Sequence, residues 1–422
     1  MAKHLRTRTA LVFSFSTLSV FASVLSVFIM QAVSYYHVSY SSAGTLESYM
    51  NFTQVILSFV AFSFILRTGY KRSIMLMLFV MSTICFCMPF LNYYWMLKVY
   101  LVFIGMTLVV LKIGIYSAVG LVTSDRKGHA YMITIMEASW MILSMLGMWI
   151  LAYFIKKTPE NWLYAFWVFG LIGMVNFLVW FLAPLDESAT KKTAEEGIKK
   201  QLSELFTLCR KKIIIALILV FFLGSFVEQG IFAWLPNFYK DIVNLPSSVS
   251  IQLASLLTLS MALGRFLIAF LLKFMKWDKI MLCCYGFGAL FLIVILFSMH
   301  QSNETIKIWS DIPITVLLLP LIGLFIAPTS PLLNSTILSS SPKGQHTFIM
   351  TILTIAGAVT GSLAARILGD LFEYFGGITA FRIATIIPLI ILVIVILVIV
   401  ILPYSKALEK YKARWMEQEN KD

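Results

Sequence analysis

The sequence is short of charge. Only 13% of its 422 residues are charged, about half the share of a soluble domain. Carboxylates are scarcer still, with 20 Asp and Glu against 33 Lys and Arg. No phosphate-cradling Walker loop occurs, which argues against ATP-driven transport within this chain. No nucleophile–base constellation is visible either, so an enzyme is not expected. The five cysteines include no pair with zinc-site spacing, and neither a disulfide, a metal nor a cofactor is expected. Cys85, Cys87, Cys283 and Cys284 fall in apolar stretches and Cys209 near a helix end, so all five read as buried apolar thiols.

What fills the sequence instead is hydrocarbon. Hydrophobic residues make up 60% of it, with a mean hydropathy of +0.89. Twelve windows are apolar enough to cross a hydrocarbon core about 30 Å thick. They are residues 9–34, 49–67, 73–91, 96–123, 131–155, 162–183, 213–238, 251–274, 280–299, 314–339, 347–373 and 381–402. The fold class is an all-α membrane protein of twelve transmembrane helices in two six-helix bundles. The first window has a basic start (Lys3, Arg6, Arg8) but exceeds a signal-peptide core of about 7–15 residues, so it reads as an uncleaved span.

The net charge of +13 is a topology signal rather than a nucleic-acid footprint. Alternating the loops puts Lys3, Arg6, Arg8, Arg67, Lys71, Arg72, Arg126, Lys127, the basic residues of 191–212, Lys273, Lys276, Lys279, Lys343 and the basic tail on one side. The other side receives only Lys98, Lys156, Lys157, Lys240 and Lys307. The positive-inside rule then places both termini and the 184–212 linker in the cytoplasm. Short loops and the chain length suggest a multi-pass protein of a bacterial inner membrane. Some of the basic side can also meet anionic lipid headgroups.

Lys112 stands out within this pattern. It lies about 16 Å from the cytoplasmic end of the fourth window at the helical rise. A lysine near the midplane costs roughly 2.5–3.5 kcal/mol on insertion scales, so it must face a bundle interior, a cavity or a partner. A polar path is one reading and a structural ion pair the other. Glu228, midway along the seventh window, and Glu137, about 9 Å inside the fifth, are the candidate proton carriers; packing against a basic residue is their alternative role. Glu228 is expected opposite Lys112. Gln31, Gln54, Gln229 and Asn334 can orient a substrate by hydrogen bonds, although helix–helix contact is the commoner use of such residues. Arg366 and Asp370 are spaced to pair on one helix face. Pro320, Pro328 and Pro331 are expected to break the tenth span. Tyr35, Tyr36, Trp95, Trp162 and Trp234 read as interfacial anchors.

The chain divides into a six-span unit (1–183), a linker (184–212), a second six-span unit (213–402) and a tail (403–422). Residues 193–208 suit a short amphipathic surface helix or a plain solvated linker. The two units look like copies. Lys127-Gly128-His129 precedes the fifth span, and Lys343-Gly344-Gln345-His346 precedes the eleventh, 216 positions later. Ala165-Phe166 and Ala380-Phe381 recur 215 positions apart. Two six-span repeats about a midplane site describe a secondary transporter.

The loop Arg67-Thr68-Gly69-Tyr70-Lys71-Arg72 resembles the basic second-to-third-span motif of the major facilitator superfamily, without its usual acidic residue. Gly264-Arg265 followed by Lys276-Trp277-Asp278-Lys279 resembles the counterpart in the second half. Residues 225–239 (SFVEQGIFAWLPNFY) and 262–279 are most similar to the fucose-permease and TsgA-like branch. The resemblance implies alternating access, a cavity lined by spans one, four, seven and ten, and gating roles for Arg265 and Arg72. It also implies an acid in span four where this chain has Lys112. Span one, which carries an acid in that branch, has none here.

Three classes of function follow. The first is proton-driven uptake of a small polar solute, an anionic one included, with Lys112, Gln31, Gln229 and Asn334 binding it and Glu228 and Glu137 carrying the proton. The second is a proton-driven efflux antiporter for drugs or metabolites; the span-five stretch 137–153 lacks the glycine- and proline-rich signature of such antiporters. The third is a sensor or scaffold, which should carry an added soluble signalling domain; none is visible. The expected partners are a small-molecule substrate, protons and membrane lipid, with the protein acting as a monomer.

Overall fold

The computed structural model describes residues 2–122, 126–185, 212–272, 274–299, 311–327, 332–333 and 346–401. Every element among them is helical. The first half runs through α1 (Ala2–Ala22), α2 (Leu25–Ser34), α3 (Tyr40–Gly44), α4 (Leu46–Thr68), α5 (Tyr70–Cys87), α6 (Tyr94–Val122), α7 (Arg126–Lys157) and α8 (Ala165–Leu182). The second contains α9 (Lys212–Asp241), α10 (Ser247–Leu271), α11 (Trp277–Ser298), α12 (Ile314–Leu318), α13 (Ile322–Ile326), α14 (His346–Phe375) and α15 (Gly377–Ile401). Ten of the described helical stretches are long and apolar enough to cross a membrane. The 23-residue α4, about 34 Å long at the helical rise, and the broken stretch from α12 to α13 supply the remaining two crossings.

Local sequence sets the breaks. Gly69 separates α4 from α5 at φ +86° and donates its N–H to the Ile65 carbonyl at 2.8 Å. A side chain there would be strained, so glycine ends the helix. Pro320 sits in a 3₁₀ turn (Leu319–Leu321) between α12 and α13, which breaks span ten as expected; Pro328 and Pro331 lie outside the described residues. Span one also breaks, at Ser23 and Val24, without proline or glycine. There the Ser23 hydroxyl donates to the Val20 carbonyl at 2.7 Å, while the Ser23 N–H still reaches the Ser19 carbonyl at 3.0 Å. Gly147 of α7 packs directly against that hydroxyl, where no side chain would fit.

Within the first half α1 packs on α7, α4 on α6 and α5 on α8; within the second α9 packs on α14 and α15, and α11 on α15. A buried polar knot ties α1 to α8. Trp180 donates to Ser14 Oγ at 2.6 Å, and Asn176 donates to Thr17 Oγ1 at 2.9 Å and accepts from Ser14 at 3.3 Å. Thr17 gives its own proton to the Phe13 carbonyl at 2.8 Å, and the single Ser14 proton is split between Asn176 Oδ1 and the nearer Ala10 carbonyl at 2.8 Å. No member of the knot is left as an unpaired buried group, which would be costly in a low-dielectric interior.

The halves meet along three seams: α7 on α10, α3 and α4 on α14, and α9 on α2. Hydrogen bonds across them cluster in the part of the bundle that carries α3. Tyr40 donates to Asp241 Oδ2 at 2.9 Å, Ser41 N–H to Glu373 at 3.0 Å, Arg366 to the Ser41 carbonyl at 2.9 Å, and Trp149 to Ser255 at 2.8 Å. Burial, and then the neighbouring Asp241, push the Tyr40 phenol above its ordinary pKa, so it stays a donor. Gly44 and Gly369 let the backbones close up there: a Cβ on Gly44 would stand 2.5 Å from the Ala365 carbonyl, and one on Gly369 2.6 Å from that of Tyr40. The bundle is shut at the α3 end.

Several expectations change. Trp162 and Trp234 are fully buried rather than interfacial. Trp162 packs edge-on against Phe28 and Phe166. Trp234 stacks on Phe372 and donates to the Ala365 carbonyl at 2.9 Å. Both rings fill space between helices, a demand that hydropathy along one chain does not register. Cys85 is buried, but Cys87 and Cys283 are exposed on outward helix faces, where lipid rather than protein would surround them. Cys209 and the 193–208 stretch lie outside the described residues. Arg366 and Asp370 do pair, at 3.2 Å.

Candidate functional site

Helix spacing puts Lys112 and Tyr116 on one face of α6, four residues apart, and Glu137 and Trp140 on one face of α7, three apart. Packing turns these faces toward each other. The Lys112 side chain is exposed within its apolar span. Its Nζ stands 5.1 Å from the centroid of the Trp140 ring, within cation–π range. Phe15 of α1 packs against both Tyr116, at 5.6 Å, and Trp140, at 5.0 Å.

Tyr116 donates its hydroxyl to Glu137 Oε1 at 2.5 Å. Glu137 and Arg265 are the charged groups that act on Lys112, with opposite signs, and both act on Tyr116. Arg265 arrives from α10, in the other half. Its Nε is buried without a hydrogen-bond partner. Two basic residues from different halves and one acid are thus near enough to influence one another's charge beside an aromatic wall. Such a set can hold an anion between the cations, and can exchange a proton at the carboxylate.

Glu137, on the neighbouring helix, is an acid whose charge acts on Lys112. Glu228 lies half-buried on α9, beside Gln229. Gln31 is buried on α2 and accepts from Ser34 at 3.1 Å. Gln229 donates to the Gly357 carbonyl at 3.2 Å. Arg72 is exposed at the start of α5. Asn334 lies outside the described residues. No cluster of metal-ligating side chains occurs among the described residues.

A second polar group went unnoticed in the sequence. Glu47, in the first turn of α4, is fully buried at the seam with α14. Asn51 donates from the same Nδ2 to Glu47 Oε1 and to Ser362 Oγ of α14, each at 3.3 Å. Glu47 Oε2 has no partner. A buried acceptor without a partner costs about 1–3 kcal/mol, and more when charged. The signal was present: Glu47, Asn51 and Gln54 recur at i, i+4 and i+7, a polar stripe entering an apolar window.

The sequence pattern of the Major Facilitator Superfamily matches residues 9–365. No curated protein matches the sequence. Among solved structures the fold is similar to that of a variant of the nucleoside transporter NupG, with a TM-score of 0.73 at 13% identity over 94% of this chain and 99% of that one. A D-xylose-proton symporter aligns with a TM-score of 0.65 at 11% identity, over 92% of this chain and 95% of that one. A POT family transporter in complex with 5-aminolevulinic acid aligns with a TM-score of 0.69 at 15% identity, over 94% of this chain and 96% of that one. At these identities the likeness is one of fold.

Proposed function

Because the chain belongs to the Major Facilitator Superfamily, we propose that it is a secondary active transporter taking up a small polar, anionic solute by proton-coupled alternating access. The observation that carries this reading is the gathering of Lys112, Glu137, Tyr116 and Arg265 from both halves of the bundle. An anion held between Lys112 and Arg265 would draw the halves together. Glu137 is the acid placed to exchange the proton, because Tyr116 orients it and Lys112 answers its charge. Glu228, on the other half, is the second candidate for that role. Gln229 and Asn334 remain candidates for orienting the solute, and Arg72 for a loop contact in gating.

The positive-inside pattern assigns both termini to the cytoplasm. The shut α3 end would then face outward. The protein works as a monomer of two units, 1–183 and 213–402, in a bacterial inner membrane. Residues 225–239 favour the fucose-permease and TsgA-like branch. Proton coupling accords with the fold-level likeness to a D-xylose-proton symporter. The test is uptake by proteoliposomes of a solute that a deletion strain fails to take up. Accumulation under an inward proton gradient, abolished by a protonophore, is expected. Accumulation that ignores protonophores and requires sodium would replace the proton in this reading.

A further inference from the structure

We propose that Glu47 is a second proton site, which holds a proton while the α3 end is shut and releases it when that end opens. The inference rests on the alternating-access reading, but neither on the identity of the solute nor on the role of Glu137.

The seam around Glu47 supplies too few donors for a carboxylate. Its single donor is one hydrogen of Asn51 Nδ2, whose other hydrogen goes to Ser362 Oγ, and Oε2 has none. Gly361 of α14 presses on the same carboxyl, and a Cβ added there would collide with Glu47 Oε1. It would also stand 3.1 Å from Gln229 Oε1. The Gln229 amide is oriented by donation from its nitrogen to the Gly357 carbonyl, which leaves its oxygen facing Gly361. Two acceptor oxygens, from Glu47 and Gln229, thus flank one glycine. A proton on the carboxyl supplies the missing donor.

Among the described residues no cation offsets an ionised Glu47: none stands within ion-pair distance of it. On α14, Arg366 is held by Asp370 and the Ser41 carbonyl, and Glu373 accepts from Ser41. On α6, Lys98 lies over the rings of Tyr49 and Tyr94. On α9, Glu228 precedes Gln229, and Lys240 and Asp241 lie at the helix end, where Tyr40 of α3 binds Asp241. On α5, Lys71 and Arg72 begin the helix at its opposite end. An isolated charge buried in such a seam is strongly disfavoured. Separation of α4 from α14 would admit water and hydrate the carboxylate.

Linkage fixes the sign. The shut state binds one proton more than the open state, so shutting is favoured at low pH and weakened as pH rises. For one proton the shut-to-open ratio changes by up to about tenfold per pH unit. Spin labels at Tyr93→Cys and Tyr374→Cys, both exposed at the α3 end, read that ratio in a background without natural cysteines. The full-length protein is measured in nanodiscs with no solute added. Raising the pH should move the unsubstituted protein from the short to the long distance. Glu47→Gln, which supplies its own donor, should hold the short distance across the range. Glu137→Gln should keep the pH response. A Glu47→Gln protein that still opens with rising pH, or an unsubstituted protein whose distances ignore pH, overturns the inference. Absence of proton-driven uptake alongside a Glu47-dependent pH response would refute the proposed function and leave Glu47 standing.

Discussion

Tyr116 and Glu137 are joined across two helices by a hydrogen bond of 2.5 Å, beside a lysine that a second helix turn brings to the same face. That bond orients the Glu137 carboxyl on the face of α7 that meets the Lys112 face of α6.

Removing the hydroxyl tests the pair first. A hydrogen bond to a charged group contributes about 1.5–3 kcal/mol. Tyr116→Phe should therefore lower uptake by roughly tenfold or more while leaving folded protein in the membrane. Steady-state uptake at matched protein levels measures this; unchanged uptake would confine the bond to packing.

Lys112 should be indispensable in a way that charge removal elsewhere does not repair. Lys112→Ala should abolish transport. Lys112→Arg keeps the charge with a different shape and hydration, so binding should survive with poor turnover. The double change Lys112→Ala with Glu137→Gln should recover thermal stability but not uptake. Vesicles carrying that double variant and transporting fully would remove both residues from the mechanism.

Close approach at the α3 end should be equally sensitive. Gly361→Ala forces a methyl onto the Glu47 carboxyl, and over-packing of this kind costs about 1–3 kcal/mol. The shut form should lose population to the open one, seen as faster labelling of a cysteine placed at Ser42. Slower labelling would show that the seam tightens instead.

Orientation is open to direct measurement. Single cysteines in the 184–212 linker and in the 403–422 tail should resist an impermeant reagent in intact cells, whereas one within 302–309 should react. Labelling of the linker from outside would invert the assignment.

The fold was largely legible because a spanning helix announces itself locally. Length, apolar composition and flanking Lys and Arg need no knowledge of the rest of the chain. Pro320 and Gly69 were legible for the same reason, being backbone constraints. Lys112 was legible because a charge in an apolar window has no local excuse. Which acid acts on it was not: Glu137 and Glu228 look alike along the chain, and only the packing of the helices brings the charge of Glu137 to bear on it. Glu47 was hidden by standing two residues before an apolar window, where an acid ordinarily meets water. Trp162 and Trp234 misled in the opposite direction, since interfacial and buried indoles share the same position at a helix end.

The central claim is that an anionic solute and a proton cross together at the Lys112–Glu137 site. Proteoliposomes loaded with a pH dye test it most directly, challenged in turn with monocarboxylates, sugar acids, amino acids, neutral sugars and nucleosides. At least one anionic solute should acidify the lumen as it enters, and Glu137→Gln should abolish that acidification. Entry of a neutral solute alone, or of an anion with no change in lumenal pH in the unsubstituted protein, would contradict the account.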